Sequence, residues 1–299
     1  MDENKLFPIF SDMNLPKDKK NLLDDICAEL EQLENISAIV LGGSFATGRA
    51  NQDSDLDIGI YYHENNPFSI DDIRGVAEKF STIENPTVTD FYQWGPWVNG
   101  GAWINTEFGK VDFLYRNINQ IRKTIQDATE GIWENHFEQQ PPYGFSSIYY
   151  LAEIEACQPI YDPQQIIQYL KSLVKVYPEN LKKTIIQESL WSAEFTLINA
   201  EGFAKNNDYF NSFGCFTRAL KNIVQALFAL NEIYPITDKK AIEILSKSSY
   251  CPVKLEQKVK SILTTKSTLL ENYKLVLSLF EETVSLASGF YQPLFSIKK

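Results

Sequence analysis

Two aspartates two residues apart in a short apolar stretch, Asp55-Leu56-Asp57, constrain this chain more than any other feature. Strand side chains alternate, so a strand from Leu56 to Tyr62 puts Asp55, Asp57, Gly59 and Tyr61 on one face and Leu56, Ile58 and Ile60 on the other. Carboxylates that point the same way repel, and burying them unpaired costs far more than it returns. A divalent cation removes the conflict: Mg²⁺ takes hard oxygen ligands and usually combines one or two carboxylates with phosphate oxygens and water. Upstream, Ile36 to Leu41 is a β-branched apolar run that reads as a buried strand and ends in Gly42-Gly43-Ser44, where the chain turns sharply into a helix start. Glycine lets the backbone come close, and N–H groups at a helix N-terminus cradle phosphates. The constellation reads as a nucleoside triphosphate held with Mg²⁺.

Other phosphate loops fail on their own terms. From Gly43 the chain has the glycine spacing of a Walker A loop, but Arg49-Ala50 stands where Lys-Ser/Thr is required. No Gly-x-Gly-x-x-Gly follows a predicted strand, which removes the dinucleotide fingerprint. The four cysteines, Cys27, Cys157, Cys215 and Cys251, are scattered, and His63 and His136 stand far apart. That spacing argues against zinc and against a Ser-His-Asp hydrolase, and for reduced thiols.

The segment from residue 36 to 116 resembles the DNA polymerase beta-like nucleotidyltransferase superfamily: Gly43-Ser44, then Asp55-Leu56-Asp57, then a third carboxylate on a later strand, Val111-Asp112-Phe113. Gly48 and Ser54 are similar to the pattern of the antibiotic-modifying and unassigned bacterial members, and Pro142 to Phe145 and Leu227 to Glu232 look like stretches of the latter. The resemblance implies a metal-dependent enzyme that moves a nucleoside monophosphate from an NTP, ATP foremost, to a hydroxyl of an acceptor and releases pyrophosphate. In that reading Gly42, Gly43 and Ser44 hold the phosphates, and Asp55 and Asp57 bind two Mg²⁺ ions. Asp112 completes the second metal site or takes the acceptor proton, with Glu107 as its rival. The acceptor it favours is a small molecule, aminoglycoside- or lincosamide-like. A tRNA- or protein-modifying transferase of a toxin–antitoxin type pair, and a nucleotide-binding regulatory module without turnover, stand as alternatives.

The net charge of -11 divides unevenly: residues 1–130 hold 22 Asp and Glu against 11 Lys and Arg, and residues 131–299 hold 17 against 17. Acidity around the site repels a phosphate backbone and attracts a cationic acceptor, which makes nucleic acid the less favoured partner, although solvated helix faces account for much of it. No apolar run is long enough to span a bilayer, and Met1 to Lys5 lacks the regions of a signal peptide, so the expectation is a soluble cytoplasmic protein.

Periodicity supplies the scaffold. Residues 17–34 carry Leu22, Leu23, Ile26, Leu30 and Leu33 on one stripe, and Ser69 starts a helix to about Thr82. Strands are expected over Val88 to Trp94, Ala102 to Glu107 and Lys110 to Tyr115, the last two joined through Phe108-Gly109. The aromatic segment Gln93 to Trp103 offers rings that either fill a core or stack on a base or sugar. From Asn117 the pattern is helical to the end, with one stripe from Ile186 to Ala204, a second from Phe213 to Leu230, and Thr237 capping a short helix. Arg218 and Lys221 lie beside the second stripe and, like Arg49, either snorkel to solvent or reach the nucleotide. The expected architecture is α+β: a nucleotidyltransferase domain with a small mixed sheet and helices over 1–138, then an all-α helical bundle that binds substrate over 139–299.

Overall fold

The computed structural model describes residues 15–264 and 267–295, so Met1 to Lys5 lies outside the described residues. In chain order these form α1 (Lys17–Leu30), β1 (Ala38–Leu41), α2 (Gly43–Ala46), β2 (Leu56–Tyr62), α3 (Ile70–Phe80), β3 (Thr87–Val88), β4 (Gly101–Thr106), β5 (Gly109–Asn117) and α4 (Ile118–Thr129). There follow β6 (Asn135–His136), β7 (Phe145–Ser146), α5 (Ile148–Ala156), β8 (Gln158–Tyr161), α6 (Ile166–Val174), α7 (Glu179–Lys205), α8 (Tyr209–Leu230), α9 (Ala241–Leu245), α10 (Leu255–Ile262) and α11 (Leu269–Leu286). None of the described helices is long and apolar enough to cross a membrane. The chain divides into two compact units: Met1–Ile125 with Tyr150–Lys175, and Gln126–Tyr149 with Val176–Lys299. This division differs from a single cut near residue 139, because β8 pairs antiparallel with β1 and so belongs to the first unit.

The first unit is a mixed sheet in the order β3-β4-β5-β2-β1-β8. Strand β2 runs parallel to β5 and antiparallel to β1, and β3, β4 and β5 form an antiparallel meander. One crossover followed by a meander is the arrangement that the order of patterns predicts. Alternation then fixes what each face does. Ile39, Leu41, Ile58, Ile60, Val111 and Phe113 are at most 3 % exposed and join Leu23, Ile26 and Leu30 of α1 and Ile73 and Ala77 of α3 in one core. Burial on that scale is the main driving force for the unit. Ser69 caps α3 by accepting from the Asp72 amide at 3.3 Å.

The opposite face carries Asp57, Gly59 and Tyr61 of β2 and Asp112, Leu114 and Arg116 of β5. At one end Tyr61 is buried, and the Arg116 guanidinium, 4 % exposed, makes a bidentate pair with Glu153 of α5 at 2.7 and 2.9 Å. Arg116 also donates to the carbonyls of Val98 at 3.3 Å and Tyr115 at 3.0 Å, and Tyr150 of α5 donates its hydroxyl to the Trp97 carbonyl. Burial opposes the charge on Arg116, but Glu153 outweighs it and raises the guanidinium further above its ordinary range. The other end of this face carries Asp57 and Asp112.

Two expectations need correction. The strand predicted from Val88 to Trp94 stops at Val88, and Tyr92 is left-handed at φ 61°. The Gln93 side chain turns back to accept from the Asp90 amide at 3.0 Å, and Pro96 has no N–H to offer a ladder. The region after Asn117 is not purely helical, since it contains β6, β7 and β8. In the second unit the α7 stripe from Ile186 to Ala204 is buried, as are Phe216, Leu220, Ile223, Leu227 and Leu230 of α8, and α11 packs on both helices. Thr237 accepts from the Lys239 amide at 2.9 Å and so shapes the turn before α9; the N-cap position itself is Lys240.

Cys27 and Cys157 are buried and all four cysteines are free thiols. Burial pushes the Cys157 thiol up to about 12.

Glu153→Ala should leave a buried guanidinium without its partner. The expected cost is about 3 kcal/mol of folding stability, to be read from urea denaturation of the full chain, whereas a loss under 1 kcal/mol would mean that the pair is dispensable.

Candidate active site

Toward the other end of that face, three elements bring the predicted residues into one row. The Gly42-Gly43-Ser44 turn follows β1, Asp57 sits on the central neighbour β2, and Asp112 lies on β5 beyond it. Asp57 and Asp112 are register partners in adjacent parallel strands, so their side chains leave the same face about 4.8 Å apart at the backbone. Asp55 precedes β2 by one residue and shares that side by alternation. All three carboxylates are half-buried.

The turn is fitted to Asp57 in two ways. The Gly42 amide donates to the Asp57 carbonyl at 2.8 Å, which extends the β1–β2 pairing by one bond. Gly43 adopts φ +58°, and a Cβ there would collide with the Asp57 carboxylate, so only glycine permits both the conformation and the approach. Gly42 therefore serves by its lack of a side chain, its N–H being already engaged. Helix α2 is a single turn of four residues, shorter than the helix start implied. A phosphate at this turn would meet the first-turn amides and the Ser44 hydroxyl, with little help from a macrodipole. Arg49 is exposed just past the turn, its own amide bonded to the Ser44 carbonyl at 2.9 Å.

The loop into Asp55 is ordered by its own side chains. Asn51 Oδ1 accepts from the Asp53 amide at 2.9 Å, and the Ser54 hydroxyl accepts from the Asn51 amide at 2.9 Å. Lys19 of α1, 8 % exposed, donates to the Ser54 carbonyl and lies 5.5 Å from the centroid of the Phe45 ring in α2. One lysine thus ties the segment before Asp55 to the Gly-Ser turn. Its signal is present in the sequence, because Lys19 falls on the same helical stripe as Leu22, Leu23, Ile26 and Leu30.

Beyond Asp112 the meander adds a further set. Trp103 of β4 is the register partner of Asp112, and Asn105 is that of Lys110. A cavity of about 490 Å³ is lined by Asp55, Asp112, Trp103, Asn105 and Lys110, with Ile83 and Thr87 at its side. Trp103 is 53 % exposed and stacks on Trp94 with centroids 4.8 Å apart. Glu107 lies in the hairpin turn, exposed, and is not among these lining residues.

Arg218 and Lys221 belong to α8 in the second unit. Arg218 is exposed. Lys221 is largely enclosed, donating to Gln225 at 3.1 Å and pairing with Asp238 at 3.4 Å, and burial lowers its ammonium below the ordinary range.

Among the described residues no three His, Cys, Asp or Glu side chains are grouped closely enough to cage a metal by themselves. The donors present are carboxylates alone, side by side on one face, which fits a hard divalent cation that completes its shell with phosphate oxygens and water. Softer metals would require the imidazole or thiolate that this face lacks.

Residues 24–94 match the family described as polymerase beta, nucleotidyltransferase, and residues 147–240 match a domain of unknown function, DUF4037. No curated protein matches the chain significantly. Among solved structures, a nucleotidyltransferase-like protein from Exiguobacterium sibiricum 255-15 is similar at 10 % identity, covering 89 % of this chain and 74 % of that one, with a TM-score of 0.46. The CdnE cyclic dinucleotide synthase of Elizabethkingia meningoseptica, solved with GTP and Apcpp, is similar at 12 % identity over 90 % of this chain and 92 % of that one, with a TM-score of 0.24. At these scores neither likeness bears on the site. The matched segment 24–94 spans the Gly-Ser turn and both aspartates of Asp55-Leu56-Asp57, and over that segment the chain is similar to the DNA polymerase beta-like nucleotidyltransferase superfamily.

Proposed function

We propose that the chain is an enzyme that transfers a nucleoside monophosphate from an NTP, with ATP the first donor to test, to a hydroxyl group of a small-molecule acceptor. The observation that supports it is the seating of Gly43 against the Asp57 carboxylate while Asp112 stands beside Asp57 in register. A turn whose amides and hydroxyl suit phosphates is thereby set one strand away from a pair of carboxylates.

The reaction assigns a task to each group. The acceptor oxygen bonds to the α-phosphorus as the bond from that phosphorus to its bridging oxygen breaks, and pyrophosphate leaves in line. Asp112 takes the proton of the attacking hydroxyl, and Asp55 with Asp57 would hold the divalent cation without which their charge would repel the α-phosphate end of the donor. Gly43 and Ser44 hold the β- and γ-phosphates. Two Mg²⁺ ions, when bound at Asp55, Asp57 and Asp112, would neutralise charge on the phosphate oxygens. Arg49, exposed just past the turn, is proposed to add a cationic contact to the triphosphate.

Asp57→Asn keeps the shape of the side chain and removes its charge. Turnover, read as the mass shift of an acceptor found by screening with each NTP and Mg²⁺, should fall on the order of a hundredfold or more, about 3 kcal/mol of transition-state stabilisation. Near-wild-type turnover in Mg²⁺ would sink the assignment.

Gly43→Ala tests the turn without removing a charged group. The left-handed φ costs about 1 to 2 kcal/mol, and the new methyl group must push the Asp57 carboxylate aside. A folded protein by circular dichroism with at least tenfold weaker Mg²⁺-ATP binding by calorimetry is the expected result; unchanged affinity would reduce the turn to a strand-to-helix connection.

A further inference from the structure

The row across the sheet has a direction, and it separates two sides of the reaction. From the Gly43-Ser44 turn the order runs to Asp57 on β2, to Asp112 on β5, and then to Trp103 on β4. If the departing pyrophosphate lies at the turn, in-line displacement places the attacking hydroxyl on the opposite side of the α-phosphorus, toward Asp112 and the cavity beyond it. That cavity is about 490 Å³, enough for a ring system with substituents.

Its lining specifies chemistry. Trp103 is more than half exposed although it belongs to a strand whose neighbours Ala102 and Ile104 are fully buried on the other face. The Trp94 indole backs it, stacked at 4.8 Å with an interplanar angle of 27°. Gly101 leaves room for that indole, since a Cβ there would come within 2.9 Å of it. A supported, exposed indole is a stacking surface for a flat ring. Lys110 and Asn105 face the same cavity from the cross-strand pair two residues further along, so an anionic substituent and a hydrogen-bonding edge can be met about 7 Å along the strands from the Trp103 backbone. The acidity of residues 1–130 taken as a whole points to a cationic acceptor, but the groups lining this cavity include a lysine beside the indole, and contact groups decide specificity.

We propose that Trp103, backed by Trp94 and flanked by Asn105 and Lys110, is the acceptor subsite, and that it takes a flat ring joined to a hydroxyl-bearing, anionic group, as a nucleoside monophosphate joins its base to a ribose phosphate. The proposal rests on the nucleotidyltransferase reading above. The same ring chemistry exists in the nucleoside of the donor itself, and the test separates the two.

The experiment uses the full chain with Mg²⁺ and a non-hydrolysable ATP analogue at saturation, to which AMP is then added as the ring-plus-anion probe and adenosine as the ring alone. AMP should bind alongside the analogue and quench tryptophan fluorescence. Trp103→Ala should weaken AMP at least tenfold, Trp103→Tyr should restore most of the affinity, and Lys110→Ala should weaken AMP while leaving adenosine within twofold. None of these changes should move the affinity of the analogue by more than about twofold. The proposal is overturned if AMP merely displaces the analogue, if Trp103→Ala binds AMP as the wild type does, or if Trp103→Ala weakens the analogue tenfold, which would give the platform to the donor nucleoside. Wild-type protein that does not bind the analogue in Mg²⁺ at all overturns the nucleotidyltransferase reading as well, so the two failures differ in which ligand is lost.

Discussion

The arrangement of the site depends on one close approach, that of the Gly43 backbone to the Asp57 carboxylate. The approach is possible only because Gly42 first extends the β1–β2 ladder through its bond to the Asp57 carbonyl and the next residue then turns left-handed. Ladder and turn together hold the backbone of the Gly-Ser segment against the side chain of β2. Parallel pairing of β2 with β5 carries the constraint one strand further, because it sets Asp112 beside Asp57 with no freedom of register while Ile58 and Phe113 are locked into the core. The core thereby positions the carboxylates.

Much of this is legible in the residues. Strand β2 falls over the predicted Leu56 to Tyr62, because alternation between Asp57, Gly59 and Tyr61 on one side and Leu56, Ile58 and Ile60 on the other admits no other periodicity. What escapes prediction is what depends on pairing between distant segments. Gln158 to Tyr161 is a four-residue strand containing Pro159 within a helical stretch, and such a strand is tolerated because it lies at the edge of the sheet. The neighbour of Asp112 is equally hidden. A turn centred on Phe108-Gly109 would oppose Asp112 to Asn105, whereas the observed turn, Glu107-Phe108, opposes it to Trp103. A shift of one turn position therefore decides whether an amide or an indole borders the third carboxylate.

Lys19 shows a different kind of gap. A lysine on an apolar stripe reads as a snorkelling surface residue, since the sequence does not show what lies at the end of its stem. Here the Ser54 carbonyl and the Phe45 ring are waiting, and both belong to segments that flank the site. The charge is used to join the loop before Asp55 to the turn after β1, a task for which a long, single-headed donor is suited.

Several acidic groups away from the site hold neighbouring segments together. Asp162 is 3 % exposed and accepts from the amides of Ile166, Ile167 and Gln168 at 2.7, 2.9 and 3.2 Å, which caps α6. Glu194 is fully buried in α7 and accepts from the Tyr291 hydroxyl at 2.5 Å and the amides of Leu294 and Phe295 at 3.0 and 2.8 Å, tying the segment after α11 to the helix. Glu153 answers a guanidinium. Each of these carboxylates is surrounded by donors, as burial of a charge demands. Asp57 and Asp112 stand side by side on adjacent strands, with Asp55 on the same side, and Asp55 and Asp112 line a cavity. A cationic or metal-bound phosphate ligand would offset the negative charge of carboxylates set side by side in this way. The core that locks Ile58 and Phe113 is what keeps the two carboxylates in place for such a ligand.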